Sequence, residues 1–228
     1  MPYPCWATFP FRATGAGETA PEEIAADSFA LLKHGDPDGR WWMPAMSDAP
    51  LRGFGGHEWF WEPGDERLLY PVAALVDMYC RSVGHNSTLI LGVTPDDRGL
   101  LPDDDVGRLE AFGAALEGLL ALPVARLAAP ARGRVVELPL HGTADLLVLQ
   151  EDIRRGDRIR AYEVQVHSEG AWRTIAAGSC VGHKRIQRLA APAEGDAVRV
   201  VVTASRGEPH LCAVEAYCAP GLSLGRPR

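Results

Sequence analysis

The sequence predicts two parts of different fold class, an α/β part followed by an all-β part. The first prediction rests on residues 41–121, where an amphipathic helical pattern, a short apolar run and a second helical pattern follow one another. The second rests on residues 132–218, where runs of strand length alternate with turns rich in Gly, Asp and Pro. At 228 residues, the chain can bury the core of one large domain or two small ones.

The α/β part contains two predicted helices around one buried strand. Residues 66–83 place apolar side chains three and four positions apart, which indicates a helix with one buried face, and Gly84 is suited to end it. Residues 87–93 form a continuous apolar run, as expected for a strand covered on both faces. After Pro102, three aspartates favour the start of the second helix because they complement its dipole. Arg40–Ser47 is a further candidate strand.

The all-β part is predicted to be an antiparallel sandwich, because its short strands recur at regular spacing. The predicted strands are 135–138, 145–150, 159–167, 171–177, 185–189, 197–203 and 211–217. These patterns divide the chain into a first domain at 1–122, a Pro- and Ala-rich linker at 123–131 and a second domain at 132–218. Residues 219–228 have no periodicity and are expected to be a disordered tail.

Composition excludes several classes of function. The net charge of −7 and the lack of a basic run argue against nucleic acid and anionic membranes as partners. No apolar stretch is long enough to span a bilayer, and the first ten residues lack the features of a signal peptide, so a cytoplasmic or a secreted location is left open. Five cysteines without a CxxC motif favour free thiols and argue against a zinc site. We expect no metal and no cofactor.

Several segments resemble the α-L-fucosidases of glycoside hydrolase family 29. Residues 5–11 (CWATFPF), 42–48 (WMPAMSD) and 57–63 (HEWFWEP) are similar to motifs of the catalytic barrel in that family. Residues 78–113 closely resemble the helix, strand and helix that close the barrel. Segments of the all-β part, including 145–159, resemble its C-terminal domain. Because the match runs in order through both parts, the chain is identified as a member of this family.

The resemblance implies a fold and a chemistry. Residues 1–122 would be the C-terminal part of a (β/α)8 barrel, and residues 132–218 a galactose-binding-like β-sandwich. The family hydrolyses terminal α-L-fucosyl linkages with retention, using an Asp nucleophile and a Glu acid/base. Both motifs lie upstream of the stretch matched here by Cys5 and Trp6. The resemblance therefore implies that the chain contains no catalytic residue and is inactive alone.

Three interpretations of the polypeptide stay open. Only about 120 residues precede the sandwich, whereas a complete barrel needs about 250. The chain is therefore expected to be a fragment of a fucosidase, a non-catalytic carbohydrate-binding remnant, or one chain of a split enzyme whose N-terminal half is a separate partner. In each case the expected ligand is a fucosylated glycan.

Five residues are expected to bind substrate. Trp59 matches the position where the family places an aromatic side chain against the fucose ring, although an ordinary core Trp is the alternative. Trp61 shares its loop, and His57 belongs to the Gly-rich loop at the end of a predicted barrel strand, where active sites of barrels are built. Asp48 and Arg52 flank the strand end and either form a structural ion pair or contact the sugar.

Met46 departs from the family pattern, which usually has Glu at this position. A thioether neither accepts a charged hydrogen bond nor titrates. The corresponding contact is therefore either lost or rebuilt with Asp48.

Other polar groups have structural interpretations. Asp96 and Asp97 belong to a plain turn containing Pro and Gly. Glu151, Asp152 and residues 183–185 are expected to form charge networks or contacts between the two parts.

Overall fold

The computed structural model describes residues 5–10, 31, 33–56 and 59–219, and strands predominate in it. The strands are β1 Thr8–Phe9, β2 Trp41–Trp42, β3 Ala45–Pro50, β4 Ser87–Gly92, β5 Pro123–Arg126, β6 Ala131–Arg132, β7 Val135–Pro139, β8 Ala144–Glu151, β9 Ile159–Ser168, β10 Ala171–Gly178, β11 Arg185–Ala193, β12 Ala197–Ser205 and β13 His210–Tyr217. The helices are α1 Val72–Ser82 and α2 Asp103–Leu119, with short 3-10 turns at Glu66–Leu68 and Ile153–Arg155.

β3 and β4 form a parallel pair, in register from Ala45 opposite Ser87 to Pro50 opposite Gly92. Parallel strands require a crossover, which α1 supplies, and α2 follows β4. A separate two-stranded antiparallel sheet joins β1 to β2. The strand expected at Arg40–Ser47 is thus divided between β2 and β3.

The first predicted helix is shorter in the structure. A 3-10 turn occupies Glu66–Leu68, and α1 begins only at Val72. Pro71 causes the division, because it lacks an N–H donor and disfavours the helical conformation of the preceding residue. Gly84 lies just beyond the helix, where an added Cβ would overlap the Cys80 carbonyl oxygen at 2.2 Å. The glycine is therefore required by close packing.

Two antiparallel sheets contain all seven strands predicted for the all-β part. One has the order β10-β9-β12-β7, and the other has the order β11-β8-β13-β5 with β6 also on β13. Their facing side chains belong to one hydrophobic core, which includes Leu147 and Leu149 of β8 and Val164 and Val166 of β9. This shared core holds the two sheets together.

The outer face of the five-stranded sheet is covered by the helices. Leu146 and Val148 of β8 share a second core with Val76 and Cys80 of α1, and Phe112 of α2 packs against it. β8 is therefore buried on both faces, which explains its nearly continuous apolar sequence. The α/β part and the sheets thus form a continuous packed structure.

The segment expected to be a linker, 123–131, differs from the prediction. β5 and β6 both pair with β13, so this segment adds strands to the five-stranded sheet. Pro123 is tolerated because it is the first residue of an edge strand. At the other end, Ala219 is buried and donates its N–H to Asp145 at 2.7 Å, so order extends into the expected tail. Residues 220–228 lie outside the described residues.

Asn86 joins the amino-terminal segment to the sheets. Its Nδ2 donates to the Cys5 carbonyl oxygen at 2.9 Å, and its Oδ1 accepts the His183 N–H at 2.6 Å. Beside it, the Lys184 ammonium donates to the Tyr79 hydroxyl at 3.2 Å, and Arg185 contacts His85. The expectation that residues 183–185 connect the two parts is confirmed.

Candidate functional site

The β3–β4 pair has one covered and one open face. On the covered face, Leu91 packs against a small core formed around Leu75 of α1. On the open face, Met46 is 65% exposed and Ile90 is 42% exposed, and Asp48 lies between them in the register as the neighbour of Ile90. Both faces of a parallel sheet are usually covered, so this open face is a candidate surface for a ligand or for further polypeptide.

Trp59 lies across the carboxyl end of β4. Its ring is so close to Gly92 that an added Cβ would meet its Cζ3 atom at 2.9 Å. The Thr94 hydroxyl donates to the Trp59 carbonyl oxygen at 2.9 Å and fixes the backbone. Alternate residues of a strand share a face, so Gly92 and Ile90 point to the same side. The indole therefore borders the open face that carries Asp48.

The aromatic loop is partly open to solvent. Trp59 is 38% exposed, Phe60 is 80% exposed, and Trp61 is half-buried. A partly exposed indole offers an apolar surface for a sugar ring and one N–H donor. His57, also expected to bind substrate, lies outside the described residues.

Arg52 is buried in an ion-pair network with two carboxylates. It is 3% exposed and pairs with Asp65 and Asp105, which are also buried. Its Nη1 binds Asp65, its Nη2 binds Asp105, and its Nε donates to Asp105 at 3.3 Å. The sequence suggested Asp48 or the substrate as its partner, but the guanidinium faces different carboxylates because the chain folds back on itself. All three nitrogens are engaged inside the protein.

This network holds the aromatic loop at both ends. Arg52 lies in the turn after β3, Asp65 follows the aromatic segment, and Asp105 lies in the first turn of α2. Asp65 also accepts the Glu62 N–H at 3.2 Å. Arg108 of α2 donates to a backbone carbonyl of the same region. The two ends of the loop that carries Trp59 are thus anchored inside the protein.

Asp48 is exposed, and its carboxylate has no side-chain partner among the described residues. It can accept hydrogen bonds from hydroxyl groups of a ligand on the open face. The nearby Asp96 is different, because it accepts the N–H groups of Arg98 at 2.9 Å and Leu100 at 3.1 Å. The interpretation of Asp96 as a turn residue is confirmed.

Cys5 and Trp6 are buried where the amino-terminal segment meets the sheets. The Arg160 guanidinium lies 4.6 Å from the centre of the Trp6 ring, and the Ala7 N–H donates to Asp157 at 2.9 Å. These contacts place both residues in the junction with the sheets, away from the described open face.

Two buried carboxyls lie at this junction. Burial raises the pKa of Glu151 to about 7, and burial also raises the pKa of Asp157. The Glu151 Oε1 accepts the N–H groups of Arg158 and Ile159, whereas its Oε2 has no hydrogen-bond partner in the structure. The sequence analysis expected a structural role for Glu151, but nothing in the sequence indicated that Asp157 would be buried beside it.

Across the described ranges, no group of three His, Cys, Asp or Glu side chains could hold a metal ion. The helices in that same portion are too short or too polar to cross a membrane. All five cysteines are free.

No family model matches the sequence. Alpha-L-fucosidase 1 of Arabidopsis thaliana is 25% identical over 249 residues, covering 93% of this chain and 46% of the relative. A crystal structure of a Bacteroides thetaiotaomicron protein assigned as an α-L-fucosidase is 42% identical with a TM-score of 0.85, covering 95% of this chain and 48% of that one. The crystal structure of SpGH29 is 27% identical with a TM-score of 0.75, covering 96% and 52%.

The chain spans about half the length of the curated relatives it matches. The likeness extends over nearly all of this chain, in sequence and in structure, and includes both the parallel unit and the antiparallel sheets. These similarities support assigning the chain to the α-L-fucosidases of glycoside hydrolase family 29.

Proposed function

We propose that this chain forms the fucose-binding wall of a retaining α-L-fucosidase. The observation that carries the proposal is the position of Trp59, whose indole lies on Gly92 at the carboxyl end of the parallel β3–β4 pair and borders the open face of Asp48. Active sites of (β/α)8 barrels lie at the carboxyl ends of the strands.

The unit β3–α1–β4–α2 then corresponds to the closing part of a (β/α)8 barrel, and the antiparallel sheets to a galactose-binding-like sandwich. Two features support this assignment. In the described residues, β3 and β4 pair only with each other, so their outer edges can accept further strands. The open face carries the apolar side chains of Met46 and Ile90, as expected for the inside of a barrel.

Each residue of the site then has a separate role. Trp59 packs against the apolar side of the fucose ring and its methyl group, and Trp61 extends this wall. Asp48 accepts a hydroxyl hydrogen bond. Met46, in place of the usual Glu, contributes apolar contact alone. Arg52 positions the loop without touching the sugar, because its nitrogens are engaged by Asp65 and Asp105.

Retaining hydrolysis requires two carboxyls about 5–5.5 Å apart, one as nucleophile and one as acid/base. We propose that both come from polypeptide outside this sequence, either within the same protein or on a separate N-terminal chain. The 228 residues alone would then bind the sugar without turning over an aryl α-L-fucoside. The intact mass of the native protein distinguishes a longer chain from a two-chain enzyme.

The test is the Trp59→Ala variant of the complete enzyme. We expect the inhibition constant of a fucose analogue to rise about tenfold or more, since aromatic contacts contribute roughly 0.5–1.5 kcal/mol beyond area burial and 1.4 kcal/mol is a factor of ten. Trp172→Ala is the matched control, because Trp172 is a half-buried Trp of β10 stacked under Arg199 on the four-stranded sheet. An unchanged inhibition constant for Trp59→Ala would rule out this wall.

A further inference from the structure

A groove lined by arginines runs along the sheets beside β1. Its volume is about 520 Å3, and the four arginines that line it are Arg155, Arg158, Arg160 and Arg206. Although the chain has a net charge of −7, this groove concentrates positive charge. Guanidinium groups bind oxyanions through paired N–H donors, so the lining predicts an anionic ligand.

Within the part of the chain that the structure describes, few carboxylates compensate these charges. Arg158 donates to the Glu208 carbonyl oxygen at 2.9 Å, and Arg160 donates to the Asp157 carbonyl oxygen at 2.7 Å, so both bonds go to neutral backbone groups. Arg155 and Arg206 are exposed, and no carboxylate of the described residues pairs with either.

The carboxylates at the groove do not cancel this charge. Asp157 also lines the groove, but it is buried and accepts hydrogen bonds from Ala7 and Asn86. Glu208 lies at the rim, 4.0 Å from Arg132. The exposed guanidinium groups of Arg155 and Arg206 therefore keep their donors available to a ligand, as far as the described residues show.

A second hollow continues the groove. It has a volume of about 270 Å3 and shares Arg155 and Arg158 with the first, while adding Arg132, Arg154 and His210. Asp152 binds Arg154 at 2.7 Å and neutralises it. The positive surface is therefore elongated, and the arginines without a carboxylate partner lie mainly in the first groove.

The size of the groove indicates the kind of anion. Its volume is more than ten times the ~30 Å3 that one water molecule occupies in the liquid, and it falls within the range of ligand clefts. A single inorganic ion would leave most of this space unfilled. The oxyanion is therefore carried by a larger polar molecule.

We propose that this groove binds an acidic saccharide through a sulfate or carboxylate group held by Arg155 and Arg206. The anionic chemistry follows from the arginines alone, whereas the saccharide class rests on the proposed function. The site lies on the sheets next to Thr8 and Gly39, apart from the open face bordered by Trp59. A glycan with an acidic group could thus be held at a second point.

The test is isothermal titration of the chain with 3′-sulfolactose, 3′-sialyllactose, lactose and inorganic sulfate at low ionic strength. We expect the two acidic sugars to bind, lactose not to bind, and inorganic sulfate to bind more weakly than either acidic sugar. The Arg155→Gln/Arg206→Gln variant should weaken binding of the acidic sugars at least tenfold, because it removes both of the guanidinium groups that are proposed to hold the oxyanion. Arg173→Gln, at an exposed position of β10, should leave it unchanged.

Equal binding of lactose and 3′-sulfolactose would overturn the proposal, as would no binding of either acidic sugar. Inorganic sulfate binding as tightly as the sugars would show a simple ion site. An equal effect of Arg173→Gln would show non-specific charge attraction. Titration measures binding without hydrolysis. If the Trp59→Ala variant kept the wild-type inhibition constant for the fucose analogue, the fucose wall would be refuted, but the titration result for the groove would still hold.

Discussion

The buried network around Arg52 gives a sharp prediction for stability. Arg52→Met replaces the guanidinium by an apolar side chain of similar length and leaves Asp65 and Asp105 without their partner. Arg52 is 3% exposed and Asp105 is 0% exposed, so water cannot solvate the carboxylates that have lost their partner. Removing one partner of a buried ion pair costs roughly 3–5 kcal/mol.

Circular dichroism monitors unfolding in urea, which gives the free energy of unfolding, and unfolding by heat, which gives the melting temperature. For a chain of this size, about 2–4 °C of melting temperature corresponds to 1 kcal/mol, so Arg52→Met should lower the melting temperature by roughly 6–20 °C. Arg98→Met is the control, because Arg98 also binds one carboxylate through two nitrogens but is exposed, and we expect little change.

A triple variant separates the charge effect from lost packing. Arg52→Met combined with Asp65→Asn and Asp105→Asn removes the uncompensated carboxylates and should regain most of the stability. A loss of less than about 1 kcal/mol for Arg52→Met alone would refute the reasoning, because it would mean that water reaches the two carboxylates.

Two further predictions concern Gly92 and Glu151. Gly92→Ala should displace the Trp59 ring, because the new Cβ would lie 2.9 Å from Cζ3, and the tryptophan fluorescence should change. Glu151, with a pKa of about 7 instead of 4.5, keeps its proton in the folded state after the unfolded chain has lost it. Stability should therefore fall by roughly 3 kcal/mol as the pH rises from 4.5 to 7, and Glu151→Gln should remove this contribution.

Gly113→Ala is the control for Gly92→Ala, because an added Cβ at this helical position meets no atom within 4 Å. It should leave the fluorescence unchanged, and an equal change in both variants would contradict the contact with Trp59. For Glu151, unfolding at pH 5 and pH 8 is compared, and an identical pH dependence in wild type and Glu151→Gln would contradict the raised pKa. Asp157 contributes in the same direction, so some dependence stays in the variant.

Local patterns determine most of the fold. The seven strands of the all-β part were predictable because each combines apolar runs with turn residues at its ends. The strand β5 was not, because Pro123 and the small residues after it read as a linker, and its partner β13 lies about ninety residues away. Pairing over such distances leaves no local signal.

The site was predictable only in part. Trp59 was expected to bind the sugar only because its segment resembles a family motif, and this role stays a prediction; the structure adds the contact of its ring with Gly92, which no spacing rule would indicate. Arg52 was expected to pair with Asp48 nearby, but its partners are 13 and 53 residues away. Asp105 was interpreted as a helix-dipole residue, since its burial arises only when α2 packs against the aromatic loop.

The arginine groove illustrates a second limit of sequence reasoning. Three of its four arginines, Arg155, Arg158 and Arg160, lie close together in the sequence, but Arg206 is far from them, and the net charge of the chain is negative. Only the pairing of β9 with β12 brings the two ends together. A negative total charge therefore excludes extended polyanions more firmly than it excludes a local anion site.

The proposed retaining hydrolysis is tested by the anomeric configuration of the first product that the native protein containing this chain releases. Proton NMR of the reaction with an aryl α-L-fucoside shows the configuration before mutarotation. We expect release of α-L-fucose, because the proposed retaining mechanism uses a nucleophile and an acid/base beside the Trp59 wall. Release of β-L-fucose, or no release by the intact native protein, would contradict it.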